Sequence, residues 1–384
     1  MNMVVIIPTI DPDERLYKLV AQLRSRGLSR FVIVDDGSSE NRAPIFEELE
    51  RSGARVLHHP ANLGKGAAIK TALGSVRALF PEATHVVTVD GDGQHLPDDV
   101  LRVCELAEGH HEHVVIGVRD LQRRGVPLRS RIGNAFSSAY FKLDTGFSCP
   151  DTQTGLRAMP VSLIPFARSV AGTRYEYEMN FLTEVVKGGR ALAMVPIEAV
   201  YEDNNAGSHF SAVRDSVRIY KQFLRFAGSS LACALADLVL FAAVVAAGTA
   251  AGLPTSAAVV AATVSARLVS GALNFALNRT WSFSDLGSAD GDARAQAARY
   301  GALFLAQMTA SALLVALLSQ LPVPPVAAKM LVDGALFIVS YFIQRNWVFK
   351  NAGGTRALAA KGGEHADGGK RETHAAPHTS FRAA

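Results

Sequence analysis

The chain has 384 residues, of which 49% are hydrophobic and 19% charged, with a formal net charge of +4. A soluble enzyme usually carries more charge, and so small a positive balance does not indicate a nucleic-acid-binding protein. The apolar excess lies mostly after Ser229, so we expect a soluble half followed by a membrane half. The three cysteines are far apart and fit no metal-binding spacing, which predicts reduced, structural thiols.

In the soluble half, short β-branched runs alternate with amphipathic segments. The runs that predict strands buried on both faces are residues 3–7, 31–34, 85–89 and 114–118, with residues 55–57 as a further short strand. Apolar residues at helical spacing lie between them, at residues 16–23, 67–80 and 97–108. This alternation predicts an α/β fold with an open, doubly wound, mostly parallel sheet. The first residues form a strand without a basic segment before it, which argues against a signal peptide.

Polar residues follow each predicted strand at its carboxyl end, where open parallel sheets bind their ligands. They are Pro8 and Thr9, Asp35 and Asp36, Lys65 between two glycines, Asp90 and Asp92, and Arg119. Each group alone could be an ordinary cap or turn, but five of them at one edge of a sheet favour a binding site. The chain lacks Gly-x-Gly-x-x-Gly after the first strand and lacks Gly-Lys-Ser/Thr, which disfavours a dinucleotide fold and a P-loop ATPase.

The most informative segment is residues 90–95, Asp-Gly-Asp-Gly-Gln-His, directly after a buried strand. Two carboxylates two residues apart can converge on one divalent cation, and hard cations often bridge to substrate phosphates. A polar turn between a strand and a helix would also use Asp and Gly. The strand–helix context favours a cation–diphosphate site.

Five segments together resemble family 2 glycosyltransferases, most closely polyprenyl-phosphate sugar synthases of the dolichol-phosphate mannose synthase type. The segments are residues 8–9, 35–38, 62–66, 90–95 and 151–157. The resemblance spans about residues 1–226 and implies a cytoplasmic GT-A-type domain over residues 1–227. The family's Pro-Thr-x-Asn-Glu is replaced here by a longer stretch without Asn, which leaves open whether Asp11 or Glu14 faces the nucleotide.

The resemblance implies inverting transfer of one sugar from a nucleotide-diphosphate sugar to undecaprenyl or dolichyl phosphate. A divalent cation, Mg²⁺ or Mn²⁺, would stabilise the leaving diphosphate. The implied metal ligands are Asp90, Asp92 and Gln94, with a ribose contact as the alternative for Asp90. The implied nucleotide-sugar contacts are Pro8, Thr9, Glu14, Asp35, Asp36, Lys65 and Asp90.

The lipid phosphate is already anionic, so it needs positioning more than a general base, and arginine pairs bidentately with phosphate. The implied acceptor residues are Arg119, Arg129 and Arg131. The implied catalytic residues are Asp92, Arg119, Arg131, Asp151 and Arg157, although Asp151 and Arg157 could instead form a structural ion pair. Glu176 or Glu178 would contact sugar hydroxyls. Alternatively, their negative charges would only stabilise the amino terminus of a helix.

The membrane half contains four apolar stretches that predict transmembrane helices, at residues 229–253, 257–277, 300–321 and 323–343. A basic helix at about residues 212–227 precedes them and would lie on the surface of anionic lipid. Alternatively, its basic residues would only be the positive charges that usually flank a span on the cytoplasmic side. Charges gather before the first stretch and after the second and fourth. The positive-inside rule then predicts an inner-membrane protein with both termini cytoplasmic.

Residues 278–283 and 344–349 share the pattern Arg-x-Trp-x-Phe after the second and fourth stretches. This internal repeat resembles the GtrA family and implies an all-α, four-helix domain over residues 228–350. Arg267 and Asp333 occupy equivalent positions in the two hairpins, which leads to the hypothesis that they face each other. Residues 351–384 have almost no large apolar side chains and are predicted to be disordered.

Two other functions remain open from the sequence. A processive polysaccharide synthase of the same fold is one, because Gln222–Phe226 resembles Gln-x-x-Arg-Trp, although the Trp is missing. The other is a flippase for the lipid-linked sugar, with the soluble half as an attached transferase. The expected partners are a nucleotide-diphosphate sugar, a polyprenyl phosphate and the bilayer, and not nucleic acid.

Overall fold

The computed structural model describes residues 1–121, 126–198, 217, 220–318, 320–321 and 324–349. The chain divides into two compact units, Met1–Leu224 and Arg225–Ala384. Residues 212–216, 218 and 219 of the predicted interfacial helix, which include the basic Arg214 and Arg218, lie outside the described residues, as does the predicted disordered tail at residues 351–384. Lys221 begins the first membrane helix.

Seven strands form one sheet within the described part of the first unit. They are β1 (Met3–Thr9), β2 (Arg30–Asp35), β3 (Arg55–His58), β4 (His85–Thr88), β5 (Val114–Arg119), β6 (Arg157–Pro160) and β7 (Leu192–Ile197). The order across the sheet is β3-β2-β1-β4-β6-β5-β7. Every pairing is parallel except those of β6, which runs antiparallel between β4 and β5. The five predicted strands are confirmed, whereas β6 and β7 were not predicted.

Helices cover both faces of the sheet, as a doubly wound fold requires. In chain order they are α1 (Glu14–Ser25), α2 (Ala43–Arg51), α3 (Lys65–Leu79), α4 (Pro97–Gly109), α5 (Leu128–Thr145), α6 (Ile164–Ser169) and α7 (Glu176–Lys187). Side chains alternate along β1, so that Val5 and Ile7 pack with α1, α2 and α4 while Val4 and Ile6 pack with α3, α6 and α7. The predicted α/β class is confirmed.

The register of the parallel strands brings their carboxyl ends to one edge of the sheet. Thr9 of β1 is the partner of Asp35 of β2, which in turn is the partner of His58 of β3. The backbone N–H of Asp36 donates to the carbonyl of Thr9 at 2.8 Å. Thr88 at the end of β4 pairs with Arg157 of the antiparallel β6. The polar residues that follow these strands therefore share one edge of the sheet.

The three cysteines are free and buried, two of them in the first unit. Burial raises the pKa of Cys104 to about 12 and that of Cys149 to about 11. Because only the thiolate reacts, we expect both to resist N-ethylmaleimide at pH 8 in the folded protein and to react fully in denaturant. Intact mass spectrometry against Ser25→Cys, an exposed reference thiol, measures this. Equal labelling rates for the native and reference thiols would contradict the expectation.

The second unit consists of four long helices within its described residues. They are α8 (Lys221–Ala250), α9 (Thr255–Leu277), α10 (Ala293–Leu318) and α11 (Pro325–Ile343). All four are long and apolar enough to cross a membrane. The four predicted spans are thus confirmed as helices, and the protein is a multi-pass membrane protein.

The two copies of the internal repeat meet inside this unit. Each copy forms a π-helical turn at the end of a span: Asn278–Ser282 after α9 and Gln344–Val348 after α11. Asn278 and Gln344 are buried, and the amide Nδ2 of Asn278 donates to Oε1 of Gln344 at 3.0 Å. The rings of Phe283 and Phe349 stack with their centroids 5.1 Å apart. Equivalent residues of the repeat therefore contact each other.

The hypothesised pair between Arg267 and Asp333 is wrong, because each has another partner. Arg267 Nε lies 3.9 Å from Asp237 Oδ1 on α8. Asp333 Oδ2 lies 2.8 Å from Lys329 Nζ one helical turn earlier, and its Oδ1 accepts from the Ser311 hydroxyl at 2.7 Å. Position in the repeat fixes the depth of a residue along its span but not the helix face that it occupies.

Candidate active site

A buried lysine joins two carboxylates at the carboxyl edge of the sheet. Lys65, the first residue of α3, places Nζ 2.6 Å from Asp90 Oδ1 and 2.9 Å from Glu178 Oε1 of α7. His95 Nε2 lies 3.3 Å from the other oxygen of Asp90. Three distant segments of the chain thus converge where β4 ends. Lys65 was predicted to lie near the donor, but its pairing with Glu178 was not predicted.

Charges in this cluster stabilise one another against burial. Burial opposes ionisation of Asp90, yet Lys65 and His95 hold the pKa of its carboxyl far below the usual range. Burial likewise opposes the charge of Lys65, but Asp90 and Glu178 raise its pKa well above the ordinary value. Burial and the charge of Asp90 raise the pKa of Asp92. A cation beside both aspartates would relieve the repulsion between them.

Glycines allow the surrounding loops to approach this cluster. A Cβ atom on Gly155 would overlap both carboxylate oxygens of Asp90. A Cβ on Gly66 would lie 2.5 Å from Cβ of Tyr177, next to Glu178. The backbone carbonyl of Gly155 also accepts from the Thr88 hydroxyl at 2.7 Å, which fixes the loop against β4. The loop after α5 is therefore packed directly against Asp90, and the start of α3 directly against the first turn of α7.

Replacing Gly155 by alanine is expected to lower the transfer rate at least about 10-fold, because the added methyl must displace the Asp90 carboxylate. The initial rate of sugar transfer by the purified full-length protein measures this effect. Gly133→Ala is the matched control, since a Cβ at Gly133 meets open space on the exposed side of α5. That helix substitution is expected to keep the rate and to add about 0.5–1 kcal/mol of stability. Equal rates for the two variants would contradict the close packing at Asp90.

The turn after β4 offers an incomplete set of oxygen ligands. Asp92 Oδ1 accepts from the backbone N–H of Gln94 at 3.1 Å. Over the ranges that the structure describes, no cluster of three or more His, Cys, Asp or Glu side chains could hold a metal ion. Two carboxylates and the Gln94 amide suit a Mg²⁺ or Mn²⁺ that completes its shell with phosphate and water. The assignment of Asp90, Asp92 and Gln94 as metal ligands stays a prediction that their chemistry supports.

A second buried ion pair lies at the end of β5. Arg119 Nε donates to Asp151 Oδ2 at 2.6 Å, and its Nη2 donates to Oδ1 at 3.1 Å. The Asp151 side chain is fully buried and also accepts from the backbone N–H of Gln153. The sequence left open an ion pair between Asp151 and Arg157, but the structure pairs Asp151 with Arg119. The planar guanidinium of Arg119 is thereby held in one orientation.

Arg157 fixes the loop that carries Asp151. It is buried at the start of β6, and its guanidinium donates to the backbone carbonyls of Thr154, Glu178 and Thr152 at 2.9, 2.6 and 3.3 Å. Its catalytic role stays a prediction, and these contacts favour an indirect one. Through Glu178, Arg157 also connects this loop to the first turn of α7.

The two aspartates at the carboxyl end of β2 form hydrogen bonds with neighbouring loops. Asp36 accepts from the backbone N–H groups of Leu63 and Gly64 at 2.9 and 2.7 Å, and its Oδ1 lies 2.7 Å from His59 Nδ1. Asp35 faces Ser38 and His58 in the same way. Burial opposes the Asp35 charge, but hydrogen bonds from those two residues lower its pKa overall. Asp36 thus positions the loop that leads to Lys65.

Asp11 and Glu14, the two candidates for a nucleotide contact, have different surroundings. Glu14 does not join the cluster, because its side chain is 88% exposed and pairs with Lys18 along α1. Asp11 instead accepts from the backbone N–H of Ser39 at 2.9 Å and donates its own N–H to the Ser38 hydroxyl at 2.8 Å. Asp11 therefore lies against the loop after β2, next to Pro8 and Thr9 at the end of β1. The nucleotide contact of Glu14 stays a prediction, and these positions favour Asp11 for it.

The remaining predicted arginines are only partly described. Arg131 is exposed on the first turn of α5. The side chain of Arg129 lies outside the described part of the chain, as do residues 122–125. The structure thus places Arg119 and Arg131 at the two ends of the β5–α5 connection.

Sequence reasoning missed three residues of this site. His95 and Gly155 both lie inside segments that carry the predicted motifs. The sequence therefore indicated the segments, but not the contact of either residue with Asp90. His59 follows the exposed end of β3, and it belongs to none of the motifs from which the site was predicted. Its ring is fixed by Asp36 on one side and by the Thr71 hydroxyl at 3.0 Å on the other.

Comparison with known proteins matches each unit separately. Residues 4–163 match the model of Glycosyl transferase family 2, and residues 225–349 match that of the GtrA/DPMS transmembrane domain. An uncharacterized protein of Methanocaldococcus jannaschii is 31% identical over 208 residues, covering 52% of this chain and 82% of that protein. A UDP-N-acetylglucosamine–dolichyl-phosphate N-acetylglucosaminyltransferase of Methanococcus voltae is 29% identical over 216 residues, covering 52% and 85%.

A third relative is the polyprenol monophosphomannose synthase of Mycolicibacterium smegmatis, which is 24% identical over 202 residues, covering 50% of this chain and 75% of that protein. The matched regions contain Lys65, Asp90 and His95, the pair of Arg119 and Asp151, and the four membrane helices from residue 225 onward. The chain is therefore a glycosyltransferase that belongs to family 2, with a GtrA/DPMS transmembrane domain after its catalytic domain.

Proposed function

We propose that this enzyme transfers one sugar from a nucleotide-diphosphate sugar to a polyprenyl phosphate, with inversion, at the cytoplasmic face of the membrane. The proposal rests on the carboxyl edge of the sheet. There, Asp90 and Asp92 follow β4 and suit a cation bound to a diphosphate, and Arg119 at the end of β5 is held in one orientation. The Methanococcus voltae relative is named for dolichyl phosphate as acceptor and the Mycolicibacterium smegmatis relative for polyprenol. A chain with four membrane helices suits such lipid acceptors.

The donor would bind at the carboxyl ends of β1, β2 and β4. Asp90, Asp92 and Gln94 would hold Mg²⁺ or Mn²⁺, which supplies charge stabilisation for the departing diphosphate. Pro8, Thr9 and Asp11 line the nucleotide side, while Asp36 fixes the loop that presents Lys65. The ammonium of Lys65 adds positive charge at the start of α3, where a helix already favours anions.

The acceptor would bind on the β5 side of the same edge. A phosphate monoester already carries negative charge at neutral pH, so the protein must mainly hold it in line with the sugar carbon. Arg119, Arg129 and Arg131 would pair with its oxygens. Asp151 keeps Arg119 oriented from a fully buried position, and Arg157 keeps Asp151's loop in place.

Inversion follows from a single displacement. The acceptor oxygen attacks the anomeric carbon on the face opposite to the leaving diphosphate, which departs with the bond electrons. No covalent glycosyl-enzyme intermediate is required, and the cluster contains no carboxylate that must act as a nucleophile. The anomeric configuration of the product, compared with that of the donor by NMR, tests this assignment.

Cytosolic nucleotide sugars require the catalytic unit to face the cytoplasm, as the charge distribution around the spans also predicts. An exposed Ser25→Cys thiol reports this orientation. We expect a membrane-impermeant maleimide to label it in inside-out vesicles and not in right-side-out vesicles. Labelling only in right-side-out vesicles would contradict the cytoplasmic placement.

The reaction itself is tested with the full-length protein, undecaprenyl phosphate, Mn²⁺ and a panel of radiolabelled nucleotide sugars. We expect one label to become extractable into organic solvent and to be released by mild acid. Label that accumulates in insoluble polymer would instead support a processive polysaccharide synthase. Absence of lipid-bound label with every donor would contradict a polyprenyl phosphate acceptor.

A further inference from the structure

The ammonium of Lys65 lies on a carboxylate that suits a divalent cation. Its Nζ is 2.6 Å from Asp90 Oδ1, and His95 Nε2 is 3.3 Å from Asp90 Oδ2. Both oxygens of Asp90 therefore already face a nitrogen of this chain. A second cation on the same carboxylate would lie close to Lys65, and like charges repel strongly where burial excludes water. Lys65 and a divalent cation would thus compete for Asp90.

The packing around Asp90 decides which of the two partners can move. The Asp90 carboxylate is held against the backbone of Gly155, where a Cβ atom would overlap both of its oxygens. The carbonyl of Gly155 is itself fixed by the Thr88 hydroxyl at 2.7 Å. Lys65, in contrast, reaches Asp90 through a flexible four-carbon stem. The lysine is therefore the partner that can turn away.

Glu178 offers Lys65 a second partner inside the site. Its Oε1 lies 2.9 Å from Nζ, and its side chain is only 8% exposed. Glu178 is held in place because its backbone carbonyl accepts from Arg157 Nη1 at 2.6 Å. Lys65 can therefore leave Asp90 without losing every negative partner. A new anion would still be needed to replace Asp90, because a buried ammonium is costly unless it is well paired.

We propose that Lys65 occupies Asp90 in competition with the divalent cation and gives it up only when a diphosphate binds as well. The diphosphate supplies the new anion for the ammonium, Glu178 keeps the ammonium paired during the exchange, and Asp90 becomes free to act with Asp92. This inference rests on the proposed function, since it takes both aspartates as metal ligands beside a nucleotide diphosphate. The protein alone then binds the cation weakly, and the nucleotide makes that binding tight.

Binding of Mn²⁺ to the purified full-length protein, measured by the loss of the EPR signal of the free ion, tests this exchange. Lys65→Met removes the competing ammonium. Lys70→Met is the matched control on the same helix, because Lys70 donates to the backbone carbonyl of Gly172 at 2.8 Å and its removal releases no carboxylate. Each protein is titrated alone and with a panel of UDP, GDP, CDP, ADP and dTDP. Binding of Mn²⁺ to each nucleotide without protein is subtracted.

Without nucleotide, we expect Lys65→Met to bind Mn²⁺ about 10-fold more tightly than the wild type or Lys70→Met. A nucleotide from the panel should tighten Mn²⁺ binding by about 10-fold or more in the wild type and much less in Lys65→Met. The tight binding should be lost again in Lys65→Met combined with Asp92→Asn, which assigns it to the turn after β4. If Lys65→Met does not fold, its combination with Glu178→Gln, which leaves only Asp90 unpaired, replaces it in the same comparison.

Two kinds of failure can be told apart. Wild-type Mn²⁺ affinity in Lys65→Met without nucleotide, while both proteins bind Mn²⁺ together with a nucleotide, would overturn the exchange and leave the metal site standing. Tight binding that survives Asp92→Asn would also overturn the exchange, because that Mn²⁺ would lie elsewhere. If neither protein bound Mn²⁺ with any nucleotide, the metal site of the proposed function would be wrong, and the exchange with it.

Discussion

Replacing Asp92 by asparagine is expected to lower the rate of sugar transfer roughly 100-fold, while the protein still inserts into the membrane. The amide keeps the shape of the side chain but removes one of the two carboxylates that would hold the cation beside the leaving diphosphate. The remaining activity should require more Mn²⁺ for half-saturation. Initial rates of the purified full-length enzyme over a Mn²⁺ series, at saturating donor, measure both effects.

Asp98→Asn is the matched control for this variant. Asp98 lies in the first turn of α4 with its side chain 78% exposed, where it pairs with Arg26. The same chemical change there should leave the rate and the Mn²⁺ requirement as they were. A wild-type Mn²⁺ profile in Asp92→Asn would remove the turn after β4 from the metal site.

Replacing Lys65 by methionine is expected to destabilise the catalytic unit by about 3–5 kcal/mol, besides reducing activity. Methionine fills a similar volume, but it leaves Asp90 and Glu178 buried without the cation that lies between them. Thermal unfolding can be followed with a thiol-activated dye, because Cys104 and Cys149 are buried in this unit until it unfolds. A loss of this size corresponds to a drop of roughly 10 °C in Tm for a unit of about 200 residues.

Two further variants separate the ion pairs from general effects of the substitution. Lys65→Met combined with Glu178→Gln removes one of the two buried carboxylates that the single variant leaves without a cation. The double variant should therefore recover part of the lost stability. Lys18→Met breaks only the surface pair with Glu14 and should cost at most about 0.5 kcal/mol. If Lys65→Met unfolded at the same temperature as Lys18→Met, the buried cluster would not stabilise the fold.

The strands that could be predicted from the sequence are those with continuous apolar runs. Strands β1, β2, β4 and β5 are largely buried on both faces, so burial selects their composition directly, whereas β3 is a partly exposed edge strand. Strand β6 reads Arg-Ala-Met-Pro and forms because β4 and β5 lie on either side of it, which no local pattern reveals. Strand β7 lies at the edge of the sheet, where the missing backbone N–H of Pro196 costs little. Because proline disfavours a strand prediction, β7 was not predicted from the sequence.

The candidate site was predictable in its position but not in its pairings. The carboxyl ends of parallel strands meet at one edge, so the places of Asp36, Lys65 and Asp90 after their strands were enough to group them. The partner of each charge depends on distant segments, such as Glu178 of α7 for Lys65 and Arg119 for Asp151. Local sequence gives the charges that need partners, while tertiary packing decides between the partners that are available.

The contact between Asn278 and Gln344 has a consequence for the symmetry of the membrane unit. When a residue touches its own counterpart in a repeat, the two copies are related by an approximate twofold axis, as in a symmetric dimer. Each copy ends the second helix of a consecutive helix pair, α8 with α9 and α10 with α11. The described part of the unit is thus built like two helix hairpins joined end to end. Arg267 and Asp333 mark a position where the two hairpins differ, each with its own neighbour to neutralise it.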